Sequence, residues 1–66
     1  MTEVEYFDTE GNPLKVSDIH HALHMPTVGT VLEFETCQAA VESVTQLAFG
    51  IDIIQVIARC RVLRHR

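Results

Sequence analysis

Three histidines fall within five positions of the stretch SDIHHALHMP, residues 17 to 26. His20 and His24 have the i, i+4 spacing that lets two imidazoles share one metal ion on a helix, with His21 one turn from His24. A structural zinc site needs four ligands, and a catalytic one needs three plus a water. Neither Cys37 nor Cys60 stands in a C-x-x-C spacing that would complete the set, and no HExxH motif is present, because Ala22 and Leu23 fill the intervening positions while His21 stands where its Glu would be. The cluster therefore reads as the solvated face of a short helix or as part of a protein-binding surface. No metal and no cofactor is expected.

Other chemistry finds less support. Ser17, Ser43, Cys37 and Cys60 lack a Gly-x-Ser-x-Gly elbow or an ordered His–Asp pair nearby. Gly11, Gly29 and Gly50 are too far apart to form a phosphate-cradling loop. A chain of 66 residues also has little room to enclose a substrate pocket. The expectation is that the protein is not an enzyme.

Charge is the more informative signal. The net charge is −4, but residues 1 to 58 hold all nine carboxylates and a single cation, Lys15. The last eight residues, RCRVLRHR, carry Arg59, Arg61, Arg64 and Arg66. Arginine forks suit phosphate or carboxylate, so this tail is the candidate for contact with nucleic acid. An acidic body would repel a duplex, and no aromatic residue interleaves with the arginines to stack a single strand. Nucleic acid is thus not the expected partner, and the tail is expected to neutralise acidic groups of this chain or of a second copy. At the other end, Glu3, Glu5, Asp8 and Glu10 form an acidic N-terminal edge suited to a basic protein surface.

Length permits one domain, residues 1–66, with a small and mostly aliphatic core. Glu3 and Glu5 stand where the cationic region of a signal peptide belongs. No apolar run approaches the length of a bilayer span. With only two cysteines, the chain reads as a reduced cytoplasmic protein without membrane contact, although a Cys37–Cys60 bridge stays open.

The elements that would carry these groups follow from periodicity. EVEYFDTEGNPLKV predicts a strand, a Gly11–Asn12–Pro13 turn and a second short strand. Ser17 as N-cap and Pro26 as terminator predict a short helix over about 17–25, with Ile19, Ala22 and Leu23 opposite the histidines. Leu32 and Phe34 alternate with Glu33 and Glu35, which predicts a half-buried strand. Over 37–49, Cys37, Ala40, Val41, Val44, Leu47 and Ala48 fit a helical stripe, with Thr36 as cap and Gly50 as stop. Ile54, Val56, Ala58, Cys60 and Val62 predict one face of a closing strand.

The expected architecture is α+β: a small antiparallel sheet of three to five strands, the short helix about 17–25 and a second helix about 37–49. The alternative is a small β-barrel with one short helix. The expected function is that of a non-enzymatic protein-binding module, a regulator or inhibitor of the type found in phages and accessory operons. Its candidate surface comprises Glu3, Glu5, Asp8, Glu10, His20, His21 and His24. The alternatives are a nucleic-acid accessory protein using Arg59, Arg61, Arg64 and Arg66, or a histidine-dependent metal sensor. The apolar run from Ile51 to Ile57 and the small core further predict a homodimer, besides a protein partner of unknown identity.

Overall fold

The computed structural model describes residues 2–17 and 25–66. They form five strands: β1 (Thr2–Asp8), β2 (Pro13–Leu14), β3 (Val31–Glu33), β4 (Cys37–Phe49) and β5 (Ile53–His65). The order across the sheet is β2-β1-β5-β4-β3. All neighbours are antiparallel except β1 and β5, which run parallel in the register Val4 to Val56 and Tyr6 to Ala58. The two edges of this mixed sheet are tied to each other at one corner. Val16 bridges Phe34, the Ser17 amide donates to the Glu33 carbonyl, and the Glu35 amide donates to the Lys15 carbonyl.

The α+β expectation is corrected by this arrangement, since the described residues contain no helix and the sheet is mixed instead of purely antiparallel. The helix expected over 37–49 is strand β4, paired along its whole length with β5. A one-residue β-bulge explains the helical appearance of its sequence. Val41 pairs with Cys60 and Ser43 with Arg59, so Glu42 has no opposite number. Before the bulge, Cys37, Ala39 and Val41 lie on the core face; after it, that face passes to Val44, Gln46 and Ala48, which pair with Ala58, Val56 and Ile54. The phase shift sets the core-facing Val41 and Val44 three positions apart instead of two, which imitates a helical period. The supposed cap and stop serve the strand equally well. Thr36 sits in the turn between β3 and β4, and Gly50 opens the turn before β5 with a φ of +73°. The helix expected over about 17–25 lies almost entirely on residues 18–24, outside those described.

β5 is the spine. Its core-facing Val56, Ala58 and Cys60 are fully buried between β1 and β4. Around Ala58 and Cys60 gather Tyr6, Leu32, Phe34, Cys37, Ala39 and Val41, with Val4, Leu14, Val16, Val44 and Val62 packed at the margin. Alanines on two adjacent strands leave space that the Tyr6 and Phe34 rings fill, edge to face at 5.4 Å and 63°. Phe34 has no exposed surface, and its backbone also makes the corner bridge to Val16.

Phe34 therefore carries a large share of a small core. Truncating such a ring costs about 3–5 kcal/mol, against a total stability of about 3–10 kcal/mol for a chain this short. Phe34→Ala is expected to leave the protein largely unfolded, whereas Phe34→Leu, which keeps most of the volume, loses about 1 kcal/mol. Urea unfolding followed by circular dichroism measures both; an unchanged midpoint for Phe34→Ala would contradict this packing.

Candidate functional site

β1 is an edge strand for the first half of its length. β2 pairs only with Tyr6 and Phe7, so among the described residues no strand covers the outer side of residues 2–5. Alternation sends Val4 and Tyr6 to the core face and Glu3, Glu5 and Phe7 to the outer face. Beside this edge runs an open groove of about 530 Å³, lined chiefly by Val4, Tyr6, Phe7, Pro13, Leu14 and Val16, with Glu5 and Lys15 also on its wall. Glu3 and Glu5 are exposed and make no ion pair with any described residue. Uncompensated carboxylates beside an apolar groove can attract a cationic segment and seat an apolar side chain next to it.

The other acidic candidates divide. Asp8 organises the β1–β2 turn: one carboxylate oxygen accepts the amides of Glu10 and Asn12, and the other accepts the Asn12 side-chain amide. Hydrogen bonds from Asn12 hold its carboxyl below the usual range. Asp8 is thus a structural residue of the turn. Glu10 is exposed at the tip of that turn, where its backbone amide serves Asp8. His20, His21 and His24 lie outside the described residues.

The arginine tail is largely engaged within the chain. Arg66 meets Glu33 at 2.7 Å, and Arg61 lies 3.8 Å from Glu42. Arg59 donates to the Thr9 carbonyl at 3.1 Å. The ladder explains the first contact, because Glu33, Gln38 and Arg64 stand in one row across β3, β4 and β5. Gln38 donates to the second Glu33 oxygen at 2.8 Å, and the Arg66 amide donates to the Thr36 carbonyl. Hydrogen bonding from Arg66 is the largest cause holding the Glu33 carboxyl below its ordinary value, with Gln38 and the field of Arg64 adding to it. Glu33 is the anchor that sequence reasoning does not single out. Its signal is the charge asymmetry itself, since a wet-face glutamate meets the basic end of a nearby strand.

Cys37 and Cys60 are buried free thiols. Burial, followed by the neighbouring Cys37, pushes the Cys60 thiol up to about 11, which is the reverse of nucleophile activation. Among the described residues, no three His, Cys, Asp or Glu side chains converge as a metal-holding group. No helix of the described residues is long and apolar enough to cross a membrane.

The anchoring of the tail has a pH signature. A carboxyl whose pKa is depressed on folding adds stability above its unfolded pKa, and that contribution is lost as pH falls through the folded value. Carboxyl-detected NMR should find Glu33 titrating below the ordinary glutamate range, and Arg66→Ala should move it back up. An unmoved Glu33 in Arg66→Ala would show that the pair does not form in solution.

Comparisons with protein-family models, with curated proteins and with solved structures found no match.

Proposed function

We propose that the chain is a non-enzymatic protein-binding module that engages a basic partner along the acidic edge of β1. The groove beside residues 2–5, with Glu3 and Glu5 unpaired next to it, is the observation that carries this proposal. An extended cationic segment laid along that edge would find backbone groups to pair with, apolar wall for its side chains and two carboxylates for its charges. A role as a regulator or inhibitor follows from the same chemistry, because basic surfaces on target proteins are often functional surfaces for nucleic acid. The two free, buried thiols support a reducing, cytoplasmic setting. The engagement of Arg59, Arg61 and Arg66 inside the chain lessens the case for nucleic acid as the partner.

Affinity capture from cell extract with the wild-type chain and with Glu3→Lys/Glu5→Lys tests the assignment. A protein partner held by the wild type, released by salt and lost from the double variant is the expected outcome. Equal recovery by both chains, or recovery of nucleic acid in place of protein, would overturn it.

A further inference from the structure

The sheet has a second open edge, with opposite chemistry. β3 pairs with β4 only at residues 38–40, and Gly29 and Thr30 extend the pairing to Val41. Beyond Val41, among the described residues, β4 is paired only on its β5 side. Residues 43–49, SVTQLAF, thus present a row of backbone donors and acceptors to the outside. Natural edges are commonly blunted by charge, proline or glycine. The β1 edge has Glu3 and Glu5, whereas residues 43–49 contain no charged residue, no proline and no glycine.

We propose that this edge pairs with the same edge of a second copy, in antiparallel fashion, about a two-fold axis at Gln46. Three observations favour a second copy as the occupant. The segment is self-complementary about Gln46: Thr45 meets Leu47 on the outer face, and Val44 meets Ala48 on the core face, so a larger side chain meets a smaller one each time. Two chains of net charge −4 repel, and this uncharged segment lets them approach without opposing like charges. The exposed Leu47, Ile51 and Ile53 all lie at this end of the β4–β5 hairpin. Pairing would join two five-stranded sheets into one continuous sheet. It uses a different edge from the one proposed for the protein partner, so either can fail without the other.

Sedimentation equilibrium at high micromolar concentration tests this with three samples: wild type, Q46K and Q46E. The wild type should sediment at twice the chain mass of 7.4 kDa. Q46K and Q46E alone should each be monomeric, because the axis sets like charges opposite each other, and an equimolar mixture should regain the dimer. A monomeric wild type overturns the proposal, as does a dimer that survives in both single variants. Monomers that stay apart when mixed overturn the register at Gln46. Should a variant fail to fold, amide hydrogen exchange of the wild type decides. Protection of residues 43–49 that falls on dilution supports the pairing, and concentration-independent exchange overturns it.

Discussion

The ladder between β4 and β5 is the constraint from which the rest of the structure follows. Two strands of thirteen residues each, joined at a glycine with positive φ, form a hairpin that neither β1 nor β3 spans completely. Its core face supplies Cys37, Ala39, Val41, Ala58 and Cys60, which gather with the Tyr6 and Phe34 rings in one buried cluster. Because β3 stops short on β4 and β2 stops short on β1, the half of the sheet next to the hairpin turn has three strands, with one open edge on β1 and another on β4. Those two edges are where binding is most readily placed.

The same ladder organises the charges. Antiparallel pairing brings the basic end of β5 back beside Gln38 and, one strand further, Glu33, so the arginine tail meets carboxylates of its own chain. The ion pairs are solvent-exposed and each contributes little by itself. Their larger effect is on what stays unpaired. With Glu33 and Glu42 engaged, the uncompensated acidic surface on β1 is that of Glu3 and Glu5, at the opposite end of the sheet from the tail.

Much of this fold is legible in the sequence where alternation is uninterrupted. In β1, in β3 with the bridge residue that follows it, and in β5, period-two patterns alone pick out Tyr6, Leu32, Phe34, Val56, Ala58 and Cys60, all of them buried. β4 is illegible because the bulge at Glu42 shifts the phase of its inward face. Cys37, Val41, Val44 and Ala48 share that face in the sheet and would also share one helical stripe. The two patterns differ at Ala40 and Leu47, which fall on the outer face, and at Ala39 and Gln46, which fall on the core face but off the stripe, and three of these four are apolar. β-branched Val41, Val44 and Thr45 are the local hint of strand. Of the candidate site, the acidic edge is readable from composition. The use of Asp8 in its turn depends on where Asn12 folds, and the Glu33 anchor depends on a register across three strands. Neither is encoded in local spacing.

The fold depends on residues 37–49 forming a bulged strand in register with β5, and nuclear Overhauser contacts between backbone protons probe that pairing without an intermediary. Cross-strand contacts should join Val41 to Cys60 and Val44 to Ala58, with Glu42 skipped between them. Contacts of the i, i+3 helical type across residues 37–49, with none to β5, would contradict the pairing and the fold built on it.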